Sequence, residues 1–128
     1  MAKSEARVAT KLFPADQAFS NYIRGRDGWQ CKRCGTAYAP PTKALHCSHF
    51  YSRGKWGTRF DPDNCIALCY GCHRYWDKHI GEYEDYKKAQ LGDDFDGLTL
   101  RAWNRSPMGS GFWKKLTKKQ AEELFNKL

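Results

Sequence analysis

A chain of 128 residues fits one small domain whose apolar core is limited, so a metal cross-link would add materially to its stability. No apolar run approaches the roughly 18 to 20 residues that span a bilayer, and the opening MAKSEARVATKLF lacks a hydrophobic signal segment, which points away from membrane and secreted classes and toward a soluble, cytoplasmic protein. The net charge of +8 is unevenly spread, with six basic and no acidic residues over 31–60 and seven basic against two acidic over 98–128, a pattern suited to contacts with phosphates.

Residues 1–14 read as a flexible leader ending at Pro14, which can open the helix that follows. From Ala15 to about Arg26, the residues Ala18, Phe19, Tyr22 and Ile23 recur at helical spacing and predict one buried stripe. Arg24 and Arg26 close this helix before Gly28. Cys31-Lys-Arg-Cys34-Gly35 has the form of a zinc knuckle, a tight turn whose amides point at the sulfurs and whose glycine tolerates the left-handed conformation. Residues 44–50 read as a strand, Tyr51 to Arg59 as a loop rich in Gly, basic and aromatic residues, and Cys65 to Leu68 as a second strand.

Cys69-Tyr-Gly-Cys72 is a second knuckle, and His73 is expected to begin a helix that runs to about His79. EYEDYKKAQL predicts a helix stopped by Gly92, DDFDG a turn or linker, Leu98 to Asn104 a short helix and Ser106 to Gly111 a loop. Thr117-x-x-Gln120 resembles a capping box for a last helix, with Ala121, Leu124, Phe125 and Leu128 on one face.

Six cysteines with two tight Cys-x-x-Cys pairs, in a reducing compartment, point to metal thiolates more than to disulfides. Cys31, Cys34, Cys69 and Cys72 satisfy the preference of zinc for a closed tetrahedral sulfur site. The 34 residues between Cys34 and Cys69 exceed the usual ribbon spacing of about 15 to 20, so something is inserted between the knuckles. Cys47 and Cys65 lie outside the knuckles and read as small buried hydrophobes.

The inserted segment carries His46, His49 and Asn64 and runs through the second knuckle into His73. Asn64-x-x-x-Leu68-Cys69-x-x-Cys72-His73, preceded by a strand with His49, resembles the HNH (His-Me finger) nucleases. More narrowly, Phe19-Ser20-x-x-Ile23-Arg24-x-Arg26-Asp27, Cys31-x-x-Cys34, Ser48-His49-Phe50-x-x-Arg53, Arg59-Phe60-Asp61-x-x-Asn64 and Cys69-x-x-Cys72 resemble the phage NinG (Rap) recombination nucleases over about residues 16–92. The resemblance implies an α+β fold, a small zinc-stapled ββα-metal core with flanking helices. The zinc-bound nuclease domain would cover 15–92, with 93–128 a basic helical extension packed on the same domain.

It also implies roles. His49 would be the general base, with one ring nitrogen held by a backbone carbonyl. Asn64 would hold loop and base in register. His73 would ligate a catalytic Mg²⁺ or Mn²⁺ distinct from the structural Zn²⁺, and the products would carry a 5′-phosphate and a 3′-hydroxyl. Many HNH nucleases have an acidic residue immediately before the base, where this chain has Ser48. On a strand His46 and Ser48 face one way and Cys47 and His49 the other, so His46 is expected to replace the carboxylate only if a bulge re-aims it. Asp77 and His79 are further ligand candidates, Asp77 being better placed on the helix face.

Arg53, Lys55, Arg59 and Arg74 would contact phosphates, with Trp56 and Tyr51 available to stack on bases. The expected function is a metal-dependent DNA endonuclease, phage-derived and working in the host cytoplasm on branched recombination intermediates, whose two-fold symmetry favours a homodimer. Two alternatives stand beside it: a nicking or packaging-associated HNH nuclease on ordinary duplex, and a non-catalytic zinc-ribbon module that only binds nucleic acid.

Overall fold

The structure, a computed structural model, describes residues 11–104 and 109–128. Helix α1 spans Pro14–Arg26. Proline at its first position has no amide to satisfy, and the Asp16 carboxylate accepts from the Phe13 N–H at 2.7 Å, which places negative charge at the positive end of the helix. Ala18, Phe19 and Ile23 are buried, as the spacing predicts, with Ala15 joining them and Tyr22 only half-buried. The first ten residues of the expected leader lie outside the described residues. The stretch before Pro14 is packed: the Lys11 carbonyl accepts from Arg59, and the Phe13 ring lies 6.3 Å from Trp56.

Strands β1 (Leu45–His49) and β2 (Cys65–Cys69) pair antiparallel in unbroken register from Leu45 opposite Cys69 to His49 opposite Cys65. The connection between them contains a one-turn helix α2 (Trp56–Arg59) and a 3₁₀ turn (Pro62–Asn64), where the sequence pattern suggested only a loop. Gly57 explains the fit of that turn, because a Cβ there would sit 2.1 Å from the Arg101 carbonyl oxygen.

Helix α3 covers Tyr70–Lys78, starting three residues before the expected His73. The reason is local: the Cys69 sulfur accepts from the Cys72 N–H at 3.4 Å, so the second knuckle is itself the helix cap. Helix α4 (Ile80–Leu91) ends at Gly92, whose φ of 56° suits a residue without Cβ. The DDFDG segment is not a linker: its first residues follow Gly92 in a 3₁₀ turn, and α5 (Phe95–Trp103) starts within it. Part of the expected 106–111 loop lies outside the described residues, and α6 (Gly109–Lys115) occupies its end. Helix α7 (Lys118–Phe125) has the reciprocal Thr117 and Gln120 bonds of a capping box, at 3.1 and 2.9 Å. Ala121 and Phe125 are buried on its inner face, while Leu128 is 68% exposed.

The hairpin separates two cores. On one face, Ile66 and Leu68 pack with Phe50, Trp76 and Tyr83 beneath α3 and α4. On the other, Cys65 meets an aromatic cluster of Phe19, Phe60 and Phe125, reinforced by Trp113 stacked 4.2 Å from Phe60. The C-terminal turn of α1 clamps both strands. Arg24 donates to the Leu45 carbonyl at 3.1 Å, Arg26 to the Cys65 carbonyl at 2.7 Å, and the Asp27 carboxylate accepts from the Ala67 N–H at 2.8 Å. The Lys32 N–H, in the first knuckle, reaches the Ala67 carbonyl at 2.9 Å. No helix among the described residues is long and apolar enough to cross a membrane.

Candidate metal centre and catalytic cleft

The two knuckles bring Cys31, Cys34, Cys69 and Cys72 together, with their sulfurs all within 4.8 Å of one another. Cys34 and Cys69 Sγ lie 3.9 Å apart, close to the ~3.8 Å edge of a tetrahedron built on 2.3 Å zinc–sulfur bonds. The Cys34 N–H points at the Cys31 sulfur (3.5 Å) and the Cys72 N–H at the Cys69 sulfur, while the Arg33 guanidinium donates to the Cys72 sulfur at 3.4 Å. Gly35 closes the first turn at φ 82°. Donors aimed at sulfur favour thiolates, so the four residues fit a metal ion such as zinc.

A cleft of about 870 Å³ opens beside the hairpin, lined among others by His46, Cys47, His49, Arg53 and His73. His49, half-buried at the end of β1, lies 6.1 Å from Phe19, and its Nε2 is 2.9 Å from the Arg59 carbonyl oxygen. A carbonyl only accepts, so Nε2 carries the proton and Nδ1 keeps the free lone pair. Burial first, and the Arg53 cation second, push the imidazole down to about 4, which keeps it neutral near pH 7.

Asn64 is fully buried and makes three bonds at the loop base. Its amide donates to the carbonyls of Tyr51 (2.9 Å) and Thr58 (3.1 Å), and its oxygen accepts from the Tyr51 N–H (2.8 Å). Its own carbonyl accepts from the Phe50 N–H, so one residue ties both ends of the loop around His49.

His46 and His73 meet directly, Nδ1 to Nδ1 at 3.1 Å. The register of β1 is continuous, so no bulge re-aims His46, contrary to the expectation from alternation alone. Its own face of the strand already looks toward the start of α3. Burial first, with Arg24 adding to it, lowers the pKa of His46 and favours the neutral ring that a ligand needs. Ser48, on the same face, is fully buried and shares a 2.9 Å hydrogen bond with the Tyr83 hydroxyl. Asp77 Oδ2 lies 4.0 Å from His73 Nε2. His79 belongs elsewhere: its ring stacks on Tyr75 at 3.9 Å and Nδ1 donates to the Tyr75 carbonyl, closing the end of α3.

The expected phosphate contacts divide. Arg59 is 1% exposed and forms a forked pair with Asp16 at 2.9 and 2.8 Å, with further bonds to the Lys11 and Arg53 carbonyls, so it is a structural cation and not a surface contact. Trp56 is packed rather than offered for stacking, with the Arg59 guanidinium 4.1 Å from its ring centroid and Phe60 at 6.1 Å. Tyr51 shares a hydrogen bond with Thr99. Lys55 lies 3.6 Å over the Trp103 ring, and Arg74 is exposed beside Tyr70. Arg53 lines the cleft, joined by Lys118 of the basic tail, which the sequence offered either as an extension of the DNA track or as a solvated helix face, and by Arg24 and Lys43, to which the sequence pattern gave no phosphate role. Only the basic bias of residues 31–60 hinted at Lys43.

No family model matches the chain, and no solved structure matches it. Among curated proteins, it is 32% identical over 76 residues to a probable HNH endonuclease of Lactococcus phage SK1, an alignment that covers 58% of this chain and 78% of that relative.

Proposed function

The chain belongs to the HNH endonuclease family, and from that premise we propose that it is a metal-dependent DNA endonuclease whose base is His49 and whose catalytic cation is held by His73 and His46. The observation that carries this reading is the arrangement in one cleft of a half-buried imidazole fixed by the Arg59 carbonyl and a pair of imidazoles in nitrogen contact. The 3.1 Å separation of the two Nδ1 atoms fits neighbouring positions on one ion, which for ~2.1 Å bonds at a right angle lie about 3.0 Å apart. Asp77 is a third donor on the same helix face.

A divalent cation held by His73 and His46 would supply Lewis-acid charge neutralisation to the scissile phosphodiester. The protein does the rest. His49 takes a proton at Nδ1 from the attacking water while Nε2–H stays on the Arg59 carbonyl, which fixes the tautomer and the ring plane. Asn64 keeps that carbonyl's loop from drifting, and Arg53, Lys43 and Lys118 orient the phosphodiester backbone, with Lys55 and Arg74 farther along the track. The products are a 5′-phosphate and a 3′-hydroxyl.

The four-cysteine site holds Zn²⁺ in a structural role. ββα-metal geometry is assigned to β1, β2 and α3, with residues 15–92 as the nuclease domain and 93–128 as its basic extension. The preferred substrates are branched recombination intermediates, a choice that rests on the resemblance of the Phe19–Asp27 and Ser48–Arg53 motifs to NinG nucleases.

The test is cleavage of a four-way junction and a linear duplex in competition, with Mn²⁺ or Mg²⁺ added. Metal-dependent cutting that is lost in His49→Ala, while DNA binding is kept, supports the nuclease. Binding without cleavage by the wild type would leave a zinc module, and equal cutting of both DNAs would defeat the branched preference.

A further inference from the structure

Cys47 and Cys65 take no part in the knuckles, yet they stand together with His49. The ligand atoms of the three lie within 4.8 Å of one another, on the face of the hairpin opposite His46. The register explains why: Cys65 is opposite His49 and Cys47 is opposite Ala67, so the three are cross-strand and diagonal neighbours on one face.

A disulfide is a poor fate for this pair. Diagonal Cα atoms on antiparallel strands are about 7 to 8 Å apart, beyond the ~7 Å limit for bridging without backbone movement. A metal ion spans the gap easily, because two sulfurs on one zinc-sized ion lie ~3.8 Å apart. Cys47 and His49 line the cleft, which gives an ion its route in.

We propose that Cys47, Cys65 and His49 form a second, thiophilic metal site, which takes a soft divalent cation such as Zn²⁺ or Cd²⁺ and switches the nuclease off. Two thiolates and one imidazole select such ions over Mg²⁺, and three protein ligands leave a fourth position open to the cleft. The switch half rests on the reading of His49 as the base. With Nε2 committed to the Arg59 carbonyl, Nδ1 offers one lone pair, and it can accept a proton from water or bind an ion but not both.

The experiment uses the full chain with its structural zinc in place. Cd²⁺ is titrated while thiolate-to-metal absorption is followed, and total zinc plus cadmium per chain is counted after desalting. Cys47→Ser and Cys65→Ser are each expected to hold one ion fewer per chain than the wild type, with Cys47→Ser retaining the wild-type melting profile because its side chain is only half-buried. Equal counts in the wild type and both serine variants would overturn the site. In parallel, Zn²⁺ is added to Mn²⁺-supported cleavage, each variant being normalised to its own uninhibited rate. Half-inhibition of Cys47→Ser is expected to need at least tenfold more Zn²⁺, and equal sensitivity would overturn the switch. If the wild type cleaves no DNA, the function reading fails alone, since the metal count still decides the site.

Discussion

His46 and His73 come from different elements, the start of β1 and the first turn of α3, and touch nitrogen to nitrogen at 3.1 Å. If this contact is the grip on the catalytic cation, either alanine substitution raises the Mn²⁺ concentration for half-maximal cleavage by about tenfold or more, ~1.4 kcal/mol. His46→Asp, which swaps a borderline nitrogen for a hard oxygen, is expected to shift the preference from Mn²⁺ toward Mg²⁺. Metal titrations of the cleavage rate read both.

His49 should leave a signature in pH. Its native pKa of about 4 lies below the ~6.5 of an unfolded histidine, so the unfolded chain takes up the proton first on acidification. The associated stability is present above about pH 6.5 and is lost as pH falls toward 4, an effect on the order of 3 kcal/mol. Urea midpoints of wild type and His49→Asn, compared between pH 7 and 4, should diverge by this amount. The acidic limb of kcat/KM should likewise lie below pH 5, and Arg53→Ala should move it upward.

Breaking the Asp16–Arg59 fork leaves one buried charge without its partner. Asp16→Ala is expected to cost about 3 to 5 kcal/mol in urea denaturation. Because the Arg59 carbonyl holds His49, the same variant should lose kcat more than it raises KM. Arg53→Ala should do the opposite, weakening DNA binding with stability nearly unchanged.

Asn64→Ala orphans the Tyr51 N–H and the Tyr51 and Thr58 carbonyls, at about 1 to 3 kcal/mol for each group that finds no water. Asn64→Asp is not a conservative rescue. It keeps the acceptor for the Tyr51 N–H but sets a carboxylate against two carbonyl oxygens. Thermal melts of the two variants should both fall well below the wild type.

Removal of the knuckle metal should unfold the domain rather than merely loosen it. Zinc binding in small sulfur sites contributes roughly 10 to 16 kcal/mol, as much as the whole stability of an ordinary domain. Cys31→Ser, or a strong chelator, is expected to abolish the cooperative melt seen by circular dichroism. Cys47→Ser should not, which separates the two thiol sets.

Much of this was legible in the residues. The α1 stripe, both knuckles, the two strands and the Thr117 capping box follow from spacing that short-range sterics and hydrogen bonding enforce. His49, Asn64 and His73 could be singled out because a motif fixes their order in the chain, and the structure sets His49 and His73 on one cleft with Asn64 at the base of the loop between the strands. What pattern could not supply was three-dimensional direction. Alternation put His46 and His49 on opposite faces, correctly, but did not say that α3 begins at Tyr70, capped by Cys69, and swings His73 over the His46 face. Nor does an arginine in a basic loop disclose that Asp16, 43 residues earlier, will draw it inward. The early start of α5 at Phe95 and the helix over 109–115 were missed because short, glycine-bearing segments owe their form to what they pack against.

The outer rim of β2 is occupied at Cys65 and Ala67. Its Ala67 amide and carbonyl are taken by Asp27 and Lys32, and its Cys65 carbonyl by Arg26. A third strand from another copy therefore finds no free row of peptide groups to zip onto there, and sheet extension through β2 is closed as a route to self-association or fibril growth. Any pairing of two molecules on a two-fold substrate must use another surface, and the spacing between their cutting centres would be set by that surface.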